Sequence, residues 1–218
     1  MNFLAHFLLS ANDEDLRLGN FLGDLVKGRV ERYDHPGVTP GIKAGIRLHR
    51  AIDSFSDTHP VVRRTKQRIA HRYGRLSSVI VDVYYDHVLA REWATHGEGT
   101  LPAFADDVYR TLRGNLGRLP EEIHPLVHAM TQGDWLTGYA DIAYVGRALR
   151  GMARRAPVAR DIGTAAEELA AQYTDIAADF AEFFPQLQAH CTALVAAHRD
   201  DQSASSEQRA TPPGPSPF

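Results

Sequence analysis

Carboxylates and histidines stand among apolar residues at several points in the first half of the chain. Asp24 lies in the apolar segment GNFLGDLVKG, and His49 and Asp53 stand four residues apart in RLHRAIDSF. Residues four apart lie on one face of a helix, so His49 and Asp53 can hold one ion together. A carboxylate beside an apolar face loses hydration that a cation, a metal ion or a proton must replace. Asp24 therefore needs a partner from elsewhere in the chain.

A second acidic group lies in the segment SSVIVDVYYDHVLAREW. Asp82 and Asp86 stand four residues apart, and His87 follows directly. A helical projection at about 100° per residue places both carboxylates among apolar side chains. Two like charges there need a cation between them, or one must keep a proton. Together with the first group, these residues favour a metal site. The alternative is a set of salt bridges donated by arginines, with the candidates Arg47, Arg50 and Arg91.

The donor types restrict the metal and its chemistry. Histidine and aspartate without thiolates suit Mn²⁺, Mg²⁺, Fe²⁺ or Zn²⁺, and the many carboxylates favour the harder ions. Such ions serve phosphoester hydrolysis, because they lower the pKa of a bound water and neutralise phosphoryl charge. Arg50, directly after His49, is a candidate to bind a non-bridging phosphate oxygen. The chain has neither a G-x-S-x-G motif nor a phosphate-binding loop, which sets aside a serine hydrolase and a nucleotide cradle.

A basic run without acids, VVRRTKQRIAHRYGR, occupies residues 61–75 of an otherwise acidic chain. It forms either a solvated helix face or a docking surface for an acidic macromolecule. On the second interpretation, the residues that bind the substrate are Arg63, Arg64, Lys66 and Arg68.

The spacing of apolar residues is helical along almost the whole chain, and the alternation typical of strands is nearly absent. The pattern predicts an all-α protein with a single-domain helical bundle over residues 1–199. Helices are predicted at 3–10, 15–29, 41–56, 60–73, 75–95, 101–115, 120–131, 141–154, 162–182 and 185–199. The segment 200–218 is rich in Ser, Pro and Gln, so we predict a disordered C-terminal tail.

The bulk composition excludes several classes of protein. A net charge of −3 argues against a protein that coats nucleic acid. Cys191 is the single cysteine, which excludes an intrachain disulfide and a cysteine-rich metal site. The chain has neither a basic leader before its apolar start nor a run of about eighteen apolar residues. We therefore expect a cytoplasmic protein without a membrane span, and the sequence leaves its oligomeric state open.

Four segments, in order and spacing, resemble the acyl carrier protein phosphodiesterase family: MNFLAH, GNFLGDLVKG, GIRLHRAIDSFSDTHPVVRR and VDVYYDHVLAREW. The resemblance is strong over residues 1–95 and looser to about residue 195. It implies an all-helical, divergent relative of the HD-domain phosphohydrolases that uses a divalent cation, typically Mn²⁺. The implied reaction hydrolyses the phosphodiester between 4′-phosphopantetheine and a serine of holo-acyl carrier protein, and it leaves the apo-carrier.

The resemblance also implies roles for individual residues. The metal ligands would be Asp24, His49, Asp86 and His87. The catalytic residues would be Asp24, Arg50, Asp53 and Asp82. The adjacent pair Asp86-His87 reverses the His-Asp order of HD-domain proteins, so the sequence leaves open which side chains bind the metal directly.

Two other functions are compatible with the sequence. A related phosphohydrolase could act on a small nucleotide or another phosphodiester. A non-catalytic helical adaptor could bind an acidic partner through residues 61–75, with its carboxylates held in salt bridges. Metal content after purification without a chelator separates the adaptor from the enzymes.

Overall fold

The computed structural model describes residues 1–155 and 162–210, and the regular structure there is helical throughout, which confirms the predicted all-α class. Side chains are described for residues 1–154 and 162–200. The buried apolar residues form one continuous core, as expected of a single domain. The α-helices are α1 (Phe3–Leu8), α2 (Glu14–Leu22), α3 (Pro40–Thr58), α4 (Pro60–Tyr73), α5 (Ser77–Arg91), α6 (Trp93–His96), α7 (Leu101–Gly114), α8 (His124–Gln132), α9 (Trp135–Gly138), α10 (Ile142–Arg155), α11 (Ala165–Ala171) and α12 (Tyr173–Ala210).

Helix α5 passes through the middle of the core. Residues 83–90 are buried without interruption, so this part of the helix has no solvent face. A helix that is apolar on all sides must be covered by other elements. Helix α12 covers part of α5: the ring centroids of Phe180 and Phe183 lie 5.3 and 5.6 Å from the ring centroid of Tyr85.

Helices α2 and α3 cross with their backbones in contact. A Cβ on Gly19 would lie 2.7 Å from the Cα of Gly45, and a Cβ on Gly45 would lie 2.8 Å from the Cα of Gly19. This separation therefore requires glycine at both positions. One turn further along α3, His49 packs against Gly23 at the end of α2.

The helix predicted at 15–29 is wrong beyond Leu22. Gly23 caps α2, and the chain then turns, with Gly28 at a φ of 76° that favours glycine. The Arg50 guanidinium of α3 donates to the carbonyls of Val26 and Gly28 and holds this loop in place.

Two other predicted segments also differ from the structure. The region predicted as 162–182 and 185–199 is divided instead between α11 and one long helix, α12. Pro185 lies inside α12 on its exposed side, while the adjacent Phe183 and Phe184 pack in the core and offset the missing hydrogen bond. The helix continues to Ala210, past the predicted boundary at residue 199. Residues 211–218 lie outside the described residues, and the disordered tail stays a prediction.

Within residues 1–155 and 162–210, none of the helices combines the length and the apolarity that crossing a bilayer demands.

Candidate active site

Two imidazoles and a carboxylate meet between α1 and α3. His6 Nε2 lies 3.3 Å from Asp53 Oδ1, and His49 Nε2 lies 3.1 Å from Asp53 Oδ2. The rings of His6 and His49 are stacked, with centroids 4.2 Å apart. One donor atom from each residue lies within 4.8 Å of the other two. The structure thus joins His49 and Asp53 as their spacing predicts, and it adds His6; we call these three residues the ligand cluster.

Asn20 of α2 fixes the orientation and the tautomer of His6. The Asn20 amide nitrogen donates to the His6 carbonyl and to the Ser10 hydroxyl, so Asn20 Oδ1 accepts from His6 Nδ1 at 2.7 Å. Burial lowers the pKa of His6, which favours neutral imidazole. This network assigns the proton of neutral His6 to Nδ1, and the Nε2 lone pair then points at Asp53. The lone pairs of His6 Nε2 and Asp53 Oδ1 then face each other, and a cation between the two atoms removes their repulsion.

His49 carries the positive charge of the cluster when no metal is bound. Burial opposes that charge, but hydrogen bonds to Asp24 and Asp53 raise the pKa of His49 to about 9. Burial of Asp53 is likewise outweighed, because the hydrogen bond from protonated His49 holds the pKa of Asp53 far below its usual range. Gly23 lies so close to His49 that a Cβ at position 23 would overlap the imidazole ring. The end of α2 therefore sets the position of this ligand.

Asp24 lies in the loop after α2. Its side chain is 78% exposed, and its Oδ1 lies 3.4 Å from His49 Nε2. The expectation that Asp24 stands beside a buried apolar face is therefore wrong, because the helix ends two residues earlier. Its partner is His49, whose hydrogen bond lowers the pKa of Asp24. Asp24 is placed to act as a fourth, solvent-facing donor of the ligand cluster.

Asp82 binds the α-amino group of Met1. The nitrogen of Met1 lies 3.0 Å from Asp82 Oδ1 and 3.8 Å from Asp53 Oδ1. Burial opposes the charge of this amino group, but the two carboxylates raise its pKa. The Asp82 side chain is 34% exposed, so only Asp86 of the α5 pair is fully buried.

The structure does not bring Asp86 and His87 into the ligand cluster. Asp86 accepts hydrogen bonds from the backbone N–H groups of Leu4, at 2.7 Å, and Ala5, at 3.3 Å, at the start of α1. Burial raises the pKa of Asp86 to about 7, against these two hydrogen bonds. His87 points elsewhere, with Nδ1 2.6 Å from the Tyr139 carbonyl oxygen. Adjacent side chains on a helix diverge by about 100°, which separates these two from each other.

Arg50 has a positioning role in this structure. Its guanidinium donates to the backbone carbonyls of Gly28 at 2.8 Å and Val26 at 2.7 Å, so it holds the loop that carries Asp24. The predicted contact between Arg50 and a phosphate oxygen would cost both of these hydrogen bonds.

The other two arginines proposed as salt-bridge donors also lie apart from the cluster. Arg47 pairs with Glu31 at 3.4 Å, and Arg91 lies over the ring of Tyr173. Among the residues the structure describes, none of the three candidate arginines therefore neutralises the carboxylates around His49.

The cluster opens into a cleft of about 350 Å³. Carboxylates dominate its lining, which includes Asp24, Asp53, Asp57 and Asp82, together with Val79 and Met152. An acidic lining repels a phosphate ester unless cations offset it. The Met1 amino group and His49 supply part of that charge, and a metal ion at the ligand cluster would supply the rest.

Two arginines of the basic run in α4 bind α12. Arg64 and Arg68 both bind Asp179, which is 2% exposed, and Lys66 binds Asp57 at 2.8 Å. Arg63 donates to the backbone carbonyl of Thr58. The ion pairs to Asp179 hold the two helices together, so much of the run's charge is neutralised within the chain. The predicted role of Arg63, Arg64, Lys66 and Arg68 in binding substrate stays a prediction.

Sequence reasoning missed His6, Asn20 and the Met1 amino group. A signal for His6 was available, since a histidine in the apolar helix FLAHFL raises the same question as Asp24. The roles of Asn20 and the amino group arise from contacts between α1, α2 and α5 that no local pattern reveals.

Comparison with known proteins gives one consistent result. The family model described as acyl carrier protein phosphodiesterase matches residues 1–187. A curated relative of that name from Photorhabdus laumondii is 32% identical over 191 residues, covering 86% of this chain and 93% of the relative. A relative of the same name from Yersinia pestis is 32% identical over 188 residues, covering 86% of this chain and 95% of the relative. No solved structure matches. The chain belongs to the acyl carrier protein phosphodiesterase family.

Proposed function

We propose that this protein hydrolyses the phosphodiester between 4′-phosphopantetheine and a serine of holo-acyl carrier protein, with a divalent metal held by His6, His49 and Asp53 and completed by Asp24. Family membership supports the reaction. The observation that carries the metal is the approach of His6 Nε2 to Asp53 Oδ1 at 3.3 Å, in a tautomer that leaves no proton between them. A cytoplasmic location and a divergent HD-like ancestry are part of the proposal.

The residues present fit a metal. Two imidazole nitrogens and one or two carboxylates suit Mn²⁺, Fe²⁺ or Zn²⁺, and we propose Mn²⁺ with Mg²⁺ as the harder alternative. When bound, such an ion supplies charge for the phosphoryl oxygens and acidifies water. Replacing His6 by alanine removes one donor atom of the site. It also removes the repulsion between the His6 Nε2 and Asp53 Oδ1 lone pairs, which is the reason for a cation there.

The chain's own residues prepare the cleft for an anionic ester. Asp53 holds His6 and His49 in a common orientation, and Asn20 and Gly23 limit how far either ring can turn. Asp24 is ionised and faces solvent at the mouth, where it can orient an attacking water. The Met1 amino group offsets Asp82, so a phosphate meets a smaller negative charge.

The test measures metal content and hydrolysis in His6→Ala, His49→Ala and Asp53→Asn proteins purified without a chelator. Each variant should lose the metal and lose at least about 100-fold in turnover of holo-carrier, because the loss of a ligand weakens metal binding more than the loss of a group that only orients a ligand. His128→Ala, an exposed histidine of α8, is the matched control. Mass spectrometry of the carrier detects loss of the phosphopantetheine group.

Two results would overturn the proposal. Variants that fold, keep the metal and keep full turnover place the site elsewhere. A wild-type protein that cleaves a small nucleotide but leaves the holo-carrier intact has a different substrate.

A further inference from the structure

The rim of the cleft differs from its lining in both polarity and charge. Of the three large apolar side chains that are most exposed in the described part of the chain, Val79, 44% exposed, lines the cleft, and Leu25, 46% exposed, directly follows the lining residue Asp24. Isolated exposed apolar residues are common, but a pair at the mouth of a catalytic cleft marks a contact surface.

Exposed cations lie close in the sequence to both of these side chains. Lys27 and Arg29 are exposed on the loop that carries Leu25, and Arg75 is exposed four residues before Val79. Lys27 donates to the backbone carbonyl of Asp24. Arg29 lies close enough to the exposed Glu31 to feel its charge, but among the described residues neither Arg29 nor Arg75 is bound to a buried carboxylate as Arg64 and Arg68 are. An apolar centre with a charged rim is the usual composition of a transient protein interface.

We infer that this mouth patch, Leu25, Lys27, Arg29, Arg75 and Val79, is the surface on which the carrier protein docks. The inference rests on the proposed function, which supplies a small acidic protein as substrate. The bond to be cut joins the group to the carrier's own serine, so the carrier surface must come up to the rim. The residues next to the cleft must therefore be part of the contact with the carrier.

The charge distribution also selects the mouth patch over Arg64 and Arg68, the two arginines of α4 that bind α12. Arg64 and Arg68 are bound to Asp179, and a partner could reach them only in competition with that buried carboxylate. At the cleft, carboxylates line the interior, and the exposed cations Lys27, Arg29 and Arg75 belong to the chain segments next to its lining residues Asp24 and Val79. An acidic partner is therefore attracted to the rim while its folded surface is kept out of the acidic interior, and only the phosphodiester enters.

Two variants separate the two components of the surface. Arg29→Glu with Arg75→Glu should raise the KM for holo-carrier by about tenfold at low salt and flatten its salt dependence, because steering by rim charges is screened. Leu25→Ser should raise the KM with an unchanged salt slope, because apolar contact carries no charge. Turnover at saturation and metal content should equal those of the wild type in both.

The matched control is Arg110→Glu with Arg113→Glu on α7, which changes the net charge equally on exposed residues outside the cleft lining. Binding of fluorescent apo-carrier to each protein is measured alongside hydrolysis. Equal affinity and KM in the mouth-patch and control variants overturn the docking surface and leave the proposed function intact. A wild type that binds the carrier through the mouth patch without hydrolysing it supports the surface and overturns the proposed function.

Discussion

At the scale of single residues, the site depends on the positions of the His6 and His49 rings, whose Nε2 atoms both face Asp53. The His6 tautomer follows from Asn20, whose amide is already committed as a donor to the His6 carbonyl and the Ser10 hydroxyl. The position of His49 follows from Gly23, which has no Cβ to displace it. Neither Asn20 nor Gly23 would bind the metal, but Asn20 fixes the orientation of His6 and Gly23 fixes the position of His49.

Gly23→Ala should therefore damage the site without damaging the fold. Gly23 has φ −53° and ψ −41°, which alanine adopts freely, so the effect is the overlap of the new methyl group with the His49 ring. We expect metal affinity to fall about 10- to 100-fold, the range for lost ligand support. Isothermal titration with Mn²⁺ measures it.

Gly114→Ala, at a helix end with open space around its Cβ position, is the control and should bind metal normally. If Gly23→Ala binds Mn²⁺ as tightly as the control does, then the ring of His49 is free to move and is not fixed by α2.

At the scale of elements, α1 reaches the site because α5 holds its first turn. The N-terminal N–H groups of a helix lack intrahelical partners, and Asp86 accepts two of them, from Leu4 and Ala5. His6 lies one residue further along α1. Asp86 therefore contributes to the metal site through the backbone, although it is not one of the three residues of the ligand cluster.

Asp86 should also give the protein a pH-dependent stability. Its pKa is raised by burial to about 7, above the value of an unfolded aspartate at 3.8, so between these values the folded state binds a proton that the unfolded state releases. The contribution of this group to the free energy of unfolding is full below the lower value and is lost as the pH rises through the higher one. Urea unfolding of the wild type and of Asp86→Asn, at several pH values between these two pKa values, gives the difference in their free energies of unfolding.

Other carboxylates are common to both proteins and cancel in that difference. The advantage of the wild type should shrink as the pH rises towards 7. A difference that stays constant or grows with pH would mean that Asp86 is ionised throughout and is stabilised by its two hydrogen bonds.

The sequence predicted the helices better than the contacts between them. The i,i+4 spacing of His49 and Asp53 is enough to predict their contact, because both residues lie on α3. Asp24 was misplaced because Gly23 ends α2, and a glycine near a helix end has the same local pattern as one inside it. Asp86 and His87 have the side chains of metal ligands, but their actual partners, the α1 backbone and the Tyr139 carbonyl, come from distant segments that no local pattern indicates. The pairing of Arg64 with Asp179 spans 115 residues and has no local signature.

At the scale of the whole molecule, the ligand cluster ties the first helix to the third. A metal that binds only the folded state adds to the free energy of unfolding by mass action. With Mn²⁺ at one hundred times its dissociation constant the gain is about 2.7 kcal/mol. For a chain of this size we expect a rise in Tm of about 5–10 °C.

Differential scanning calorimetry with Mn²⁺ and with EDTA measures the shift, and Asp53→Asn should abolish it. The same rise in Asp53→Asn would place the stabilising metal outside the ligand cluster.

The backbone contact of Gly19 with Gly45 has a consequence for the order in which the protein folds. It joins two helices that are neighbours in the chain, and the His6–Asn20 bond spans only 14 residues. The bonds that attach α1 to α5 and α4 to α12 span far more: 82 residues from Asp86 to Leu4 and 115 from Arg64 to Asp179. Short loops close before long ones, since their entropic cost is smaller. We therefore expect the α2–α3 pair to form early, with His49 and Asp53 already one helical turn apart, whereas His6 reaches its final position only when Asp86 of α5 binds the start of α1.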